Sequence, residues 1–452
     1  MKNILICLEK MDIGGVETSV LNQVIEYKKR GIKPIVISKA GIFTEVLKEK
    51  GIDYEEVEFP LENNIDINRV NKIVDIIEKY DVEQVITNQL PCILSVLPAC
   101  IIKEIPYAPY IHTSLQVIKQ DENNMYDWFE RTYPFFKDLL KIYFENATKI
   151  IAISNQAAKY VKERYHINED KFEVLKNSIN LEEYKSSSNE NKREKWVLIS
   201  RLSNEKLQSV KNGIDLFDIY NNPNKTLTIV GDGDKKEELE EYAKTKTSKD
   251  KIKFIGAKNN VKDIIDENDI VLGLDRVMLE ALAMKKIAVQ IGYDNPKQVL
   301  TIKNIELESN EGFCGESLES TDIETLAKVL ENENINVEDN YEFVKDNLSI
   351  EKNIYLAEPI KPDYTNAKLK IFELIQKIQN EKTELEKEIT QLKNIDKNEL
   401  KELEKLKKEF EDNKEELKKI KTEKEEIYNE LQCVYNSKRF KIVNSIAKML
   451  KK

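Results

Sequence analysis

The chain is poor in the residues that most often announce chemistry. It has 2 histidines, 5 cysteines, 13 glycines and 11 prolines in 452 residues. Two histidines are too few for a His-rich metal cluster. Cys7, Cys92, Cys100, Cys314 and Cys433 form no C-x-x-C pair and have no histidine at ligand spacing, which predicts free thiols in a reducing, cytoplasmic setting. No apolar run approaches the ~18 residues of a membrane helix, and the opening MKNILICLEKMD reaches Glu9 and Lys10 too soon for a signal-peptide core. A positive surplus is missing too. Lys+Arg 71 against Asp+Glu 82 leave a net charge of -11, which argues against the whole chain binding nucleic acid, since that binding rests on neutralised phosphates.

What is present is enough apolar content, 40%, to build cores for two domains and an extension. The first part alternates apolar runs (KNILICL, KPIVISKA, VEQVITN, KIIAIS) with amphipathic stretches such as VETSVLNQVIEYKKR and NQAAKYVKERY. Strands alternating with helices predict βαβ units and a parallel sheet. The polar stretch YKSSSNENKREK (184–195) reads as a linker, and the alternation restarts after it with WVLISRL, TLTIVGDGD, IKFIGA and DIVLGL. The expected fold is α/β, with two Rossmann-like domains at 1–185 and 186–365 facing a central cleft. Doubly wound sheets bind ligands at the carboxyl ends of their strands, so the cleft is where chemistry is sought.

From Leu369 the composition turns to Glu, Lys, Leu and Ile without Gly or Pro, and one apolar seam runs from Ile371, Ile375 and Ile378 to Leu431 and Val434 in steps of three and four. That pattern predicts a coiled coil over 366–435 and a homo-oligomer, most simply a dimer; a single solvated helix or a hairpin near 394–398 is the other reading. The tail 436–452 sets Phe440, Val443, Ile446 and Leu450 on one helical face among Lys438, Arg439, Lys441, Lys448, Lys451 and Lys452. Such a face suits either an anionic membrane surface or packing on another subunit.

Several residues fall where the cleft is expected. Arg201 and Lys206 in ISRLSNEK follow a strand and together suit a diphosphate, although loop cations are common. Gly231 and Gly233 in IVGDGD leave room for a ligand or another chain segment to approach the backbone. Glu280 lies early in a helix, either as a first-turn acid or as an acceptor for vicinal hydroxyls. Gly14 and Gly15 in MDIGGVET open the first strand–helix turn toward any phosphate, but they do not form G-x-G-x-x-G, which weighs against NAD. His112 in APYIHTSL ends an apolar run and sits in the expected cleft, whereas His166 in ERYHINED reads as a surface residue.

The order and spacing of GGVETSVLNQ, IIAISNQAAKYV, VLKNSIN, ISRLSNEK, TIVGDGDKKEELEEYA and RVMLEALAMKKIAV resemble the family-4-like retaining glycosyltransferases, which have the GT-B architecture, over roughly residues 1–350. The resemblance implies a nucleotide-sugar donor such as a UDP-sugar, no metal or other cofactor, and an acceptor in a bacterial surface glycan, capsule or teichoic-acid-like polymer, including a lipid-linked one. It places Arg201 and Lys206 on the diphosphate, Gly14 and Gly15 near the phosphates and the acceptor, Glu280 on the ribose, His112 near the donor sugar, and Gly231 and Gly233 along the donor pocket. Many members carry a second glutamate eight positions before the ribose acid; here that position is Leu272. Asp275 stands where a glycine is usual, either reaching the sugar as a catalytic acid or capping the helix, and Lys285, Lys286 and Ile287 replace a Gly-x-Pro. The expected function is a cytoplasmic glycosyltransferase with peripheral contact to the inner face of the membrane. One rival is a catalytically degenerate scaffold organising a membrane-side glycan-synthesis complex; another is a sugar-nucleotide epimerase.

Overall fold

Short apolar runs without polar alternation become strands covered on both faces, as parallel sheets require. The computed structural model describes residues 2–12, 14–60, 66–112, 130, 134–187, 192–258, 261–356 and 361–393. Its first sheet holds β1 (Asn3–Lys10), β2 (Lys33–Lys39), β3 (Asp53–Glu56), β4 (Gln84–Thr87), β5 (Tyr107–Ile111), β6 (Ile150–Ala152) and β7 (Phe172–Val174) in the order β3-β2-β1-β4-β5-β6-β7. All neighbours are parallel. Successive β1 side chains point to opposite faces: Leu5 and Cys7 join one core with the helices Ile67–Lys79 and Leu90–Lys103, while Ile4, Ile6 and Leu8 join the other with Gly15–Lys29.

The second sheet holds β8 (Lys195–Ile199), β9 (Thr226–Val230), β10 (Ile252–Phe254), β11 (Ile270–Gly273), β12 (Ile287–Ile291) and β13 (Pro296–Val299) in the order β10-β9-β8-β11-β12-β13. Only β13 is antiparallel among its described pairs, and its proline falls at the strand's first residue, where no ladder donor is required. Chain order reverses between β1 and β4 in the first sheet and between β8 and β11 in the second. The loops after those strands are therefore the ones that open a ligand crevice. The two predicted α/β domains are present.

Their limits differ from the expected 185 and 365. Ile179 and Tyr184 already pack in the second domain's core, and Ser186 Oγ donates to Asp266 at 3.1 Å, so the start of the supposed linker is part of that domain. At the other end the chain returns. Ile354 and Tyr355 lie in the first domain's core, where the Tyr27 hydroxyl donates to the Tyr355 carbonyl at 2.8 Å. Tyr364 stacks on Tyr107 at 6.3 Å and donates to the Ile105 carbonyl at 2.6 Å. The outgoing and returning passages meet side by side, with Ile179 bridging Ser349 in parallel.

The helix Thr365–Lys393 continues from there against the helix Pro134–Asn146, held by the Lys370–Glu145 pair and by Lys377–Asp138 at 3.1 Å. Ala367 and Leu374 are buried in the first domain's core, and the seam residues Ile371 and Ile378 pack beside them. This stretch of the predicted coiled coil thus spends its apolar stripe within its own chain. The rest of the coiled coil and the basic tail lie outside the described residues. Among the described residues no helix is long and apolar enough to cross a membrane, and Cys7, Cys92, Cys100 and Cys314 are free and buried.

Because Tyr355 is 2% exposed and fills the first domain's core, Tyr355→Ala is expected to destabilise that domain by about 3–5 kcal/mol. Urea unfolding followed by tyrosine fluorescence and circular dichroism checks this against wild type.

Candidate active site

The loop after β8 is held from below by the loop after β9. Ser200 N–H donates to the Val230 carbonyl at 3.1 Å, Leu202 N–H to Asp232 at 2.9 Å, and Lys235 N–H to Leu202 at 2.8 Å. Gly231 and Gly233 make this possible: their φ values are +149° and +156°, and a Cβ would fall 1.8 Å from the Ser200 oxygen and 2.4 Å from the Leu202 oxygen. The space left by the missing side chains is filled by the chain itself. These glycines therefore act by placing Arg201 and Lys206.

The two cations differ sharply. Arg201 is exposed and pairs loosely with Glu205 at 3.6 Å. Lys206 is buried at the head of the helix Leu207–Ile219, a position where both desolvation and the helix dipole oppose a positive charge. Burial pulls its pKa down, and the nearby Asp275 carboxylate pulls it back up. Its ammonium lies 3.7 Å from the Tyr293 ring centroid and 3.4 Å from Asp275 Oδ2.

Asp275 precedes the helix Arg276–Ala283, yet its side chain makes no cap bond, so the capping reading of this residue is corrected. Its backbone stands at φ +58°, ψ −133°, a region that suits glycine and costs a side-chain-bearing residue about 1–3 kcal/mol. The strain is fixed from the far side: Asp275 N–H donates to the Phe313 carbonyl at 2.8 Å. That carbonyl also accepts from Gln290 Nε2 at 2.6 Å, and Gln290 is tied to the fully buried Glu308 at 2.7 Å. Leu272, at the place of the missing glutamate, is fully buried in the second domain's core.

Glu280 is buried, and burial raises its pKa against the opposing pull of Arg276 and Tyr184. Tyr184 Oη donates to Glu280 Oε1 at 3.0 Å and Arg276 Nε to the same oxygen at 3.1 Å. Arg276 Nη1 reaches on to the Ser178 carbonyl at 3.3 Å, on the crossing between domains. Neither Tyr184 nor Arg276 was singled out by the sequence. An Arg–Glu pair four residues apart looks like ordinary helix-surface pairing, and Tyr184 hid in a polar stretch.

Across from them, the first domain presents His112. Its Nε2 lies 2.8 Å from Asn88 Oδ1, and the Asn88 amide nitrogen donates to the Cys7 carbonyl at 3.3 Å. The amide oxygen is therefore the acceptor, so His112 carries its hydrogen on Nε2 and leaves Nδ1 as a lone pair. Burial, reinforced by the Arg276 charge, pushes its pKa down to about 3, so the ring is neutral near pH 7. It stacks on Tyr110 at 4.4 Å. Such a histidine can accept a hydroxyl hydrogen bond but does not arrive protonated. His166 is exposed at φ +56° and ends a helix.

At the first turn, Glu17 folds over Gly14. A Cβ there would fall 2.2 Å from Glu17 Oε2, while nothing lies within 4 Å of one on Gly15. Burial raises the Glu17 pKa, with Glu9 and Asp12 adding to it and its own N–H bonding the carboxylate. This turn is anionic, which opposes the expected approach of phosphate to Gly14 and Gly15 and suits hydroxyl groups better. Among the described residues no group of three His, Cys, Asp or Glu side chains is placed to hold a metal ion.

Residues 13–183 match the family described as Glycosyltransferase Family 4, and residues 180–340 match Glycosyl transferases group 1. No curated protein matches the chain in sequence. Among solved structures, a glycosyltransferase from Rickettsia africae ESF-5 superposes with TM-score 0.55 at 19% identity, over 78% of this chain and 95% of the other. Anabaena Alr3699/HepE in complex with UDP and glucose gives TM-score 0.55 at 18% identity, over 77% and 96%. Sucrose-phosphate synthase from Thermosynechococcus elongatus gives 0.54 at 14%, over 78% and 96%. At these identities the likeness is one of fold, the GT-B arrangement of two α/β domains.

Two outcomes follow from this geometry. Gly231→Ala is expected to destabilise the second domain by about 2 kcal/mol or more, read from its urea midpoint, because both its φ and the Ser200 oxygen exclude a methyl group. The folded pKa of His112 lies below its unfolded value of ~6.5, so on acidification the unfolded chain takes up the proton first. This group leaves stability unchanged above that value and lowers it as pH falls toward about 3. Urea midpoints of wild type and His112→Gln between pH 7.5 and 5 should diverge, the variant losing less at the acid end.

Proposed function

Taking the chain as a glycosyltransferase built from a family 4 domain followed by a group 1 domain, we propose that it moves a sugar from a nucleotide-sugar donor to an acceptor hydroxyl with retention of anomeric configuration and without a metal ion. The observation that supports this best is that Arg201 and Lys206 follow β8 and Glu280 lies in the helix after β11, the two neighbouring strands between which chain order reverses in the second sheet.

In this reading Glu280 accepts the two ribose hydroxyls, its orientation fixed by Tyr184 and Arg276 on one oxygen. Arg201 swings its guanidinium onto the diphosphate, and Lys206 supplies a desolvated charge beneath it. As the bond between the anomeric carbon and the β-phosphate oxygen breaks, electrons move onto the diphosphate. Those cations stabilise it where charge develops. The acceptor oxygen attacks from the face the diphosphate leaves, and its proton passes to a phosphate oxygen. His112, neutral and with Nδ1 free to accept, holds a donor-sugar hydroxyl. The open side of Gly15 and the carboxylates around it belong to the acceptor.

The UDP and glucose held by Alr3699/HepE make a UDP-sugar the first donor to try. A bacterial envelope glycan as acceptor rests on the family resemblance and on the basic tail at 436–452, which would bring the cleft to a lipid-linked acceptor at the inner membrane face. Seam residues beyond Ile378 would pair two copies.

A thermal-shift panel of nucleoside diphosphates and their sugar esters tests the donor site, because a ligand that binds the folded chain raises its melting temperature. One nucleotide is expected to shift wild type, with the shift lost in Glu280→Gln. Arg201→Ala removes an exposed side chain, so it should fold normally and weaken the same ligand at least about tenfold. No shift with any nucleotide would return the chain to the scaffold reading.

A further inference from the structure

We propose that Asp275 is an internal anion that covers the donor-diphosphate position in the free protein and makes the site prefer the intact nucleotide-sugar over the nucleoside diphosphate product. This rests on the nucleotide-sugar reading above and assigns a specificity-determining residue within it.

Four observations carry it. Asp275 holds a glycine-like backbone at φ +58°, ψ −133°, so its side chain is kept there at a cost. It declines the ordinary use of an aspartate at a helix start, making no cap bond. It lies over Lys206: the aspartate side chain is 44% exposed and the lysine side chain 9%, with 3.4 Å between Oδ2 and Nζ, so a ligand entering from solvent meets the carboxylate before the ammonium. Finally, Arg201 is answered by Glu205 as Lys206 is by Asp275. Two cations facing two carboxylates leave the loop without the positive surplus that a diphosphate requires.

A donor can pay back the displacement of Asp275. Its sugar hydroxyls lie next to the β-phosphate and can donate to the freed carboxylate. The product diphosphate has no such hydroxyls, and its terminal phosphate carries an additional charge toward the same oxygen. Like charges a few ångströms apart in a partly buried site repel by several times the thermal energy. The carboxylate therefore weakens product more than donor, and the strain at its backbone, fixed through the Phe313 carbonyl, keeps it from relaxing away.

Isothermal titration calorimetry on the full chain tests this with wild type, Asp275→Asn and Asp275→Gly. The probes are pyrophosphate, which reads the diphosphate position without a base, then UDP and UDP-glucose, or the nucleotide and sugar ester selected in the thermal panel. Both variants are expected to bind pyrophosphate and the nucleoside diphosphate at least about tenfold more tightly, about 1.4 kcal/mol. The nucleotide-sugar should change by much less, so the preference for it collapses. Asp275→Gly additionally relieves the backbone, and agreement between the two variants separates charge from strain. Diphosphate affinity that is unchanged or weaker in both folded variants overturns the proposal while leaving the nucleotide-sugar reading intact. No binding of any probe to any of the three chains overturns both.

Discussion

A lysine ammonium buried at the start of a helix is a charge that its surroundings must answer, and much of the second domain is arranged around that answer. Lys206 is unfavourable there twice over, through lost hydration and through the dipole of the helix it begins. The aromatic face of Tyr293 and the carboxylate of Asp275 compensate it from two sides. Asp275 in turn needs a strained backbone, the Phe313 carbonyl to hold that backbone, and Gln290 and Glu308 to hold the carbonyl. A chain selected for stability alone would carry an uncharged side chain at Lys206 and a glycine at Asp275, and none of the rest would be required.

The second ion pair has a different job. Arg276 and Glu280 are both buried, and their link runs through the Ser178 carbonyl to the crossing between domains. Glu280 is thus two hydrogen bonds from the backbone about which the domains are joined. The neutral His112 faces this pair from the other domain, and the same Arg276 charge that orients Glu280 helps keep His112 unprotonated.

How much of this could be read from residues alone depends on the range over which each feature is determined. The strands were legible because ILIC, IVIS and IVLG are short apolar runs that alternate with amphipathic helical stretches, as a doubly covered sheet requires, and the turns carrying Gly14, Arg201 and Asp275 follow them directly. Asp275 was visible as a departure from a glycine, but its backbone is fixed through the Phe313 carbonyl and its side chain meets Lys206, 69 positions away. Tyr184 was lost in a polar stretch because one aromatic ring does not create a periodicity. The stripe through Ile371 and Ile378 fitted a heptad, and the same spacing equally fits a helix lying on a domain, as Ile371 and Ile378 do. Nothing local to Tyr355 or Tyr364 signals that they belong to a core assembled some 250 residues earlier or more.

That return of the chain sets an order of events during synthesis. The first domain's sheet is complete once residue 174 has emerged, but the residues that close its cores, from Ile354 to Leu374, emerge only after the whole second domain. The second domain is contiguous and can fold as soon as it is made. The domain encoded first is therefore the one finished last, and until then its exposed apolar faces are the part of the nascent chain that a chaperone would recognise.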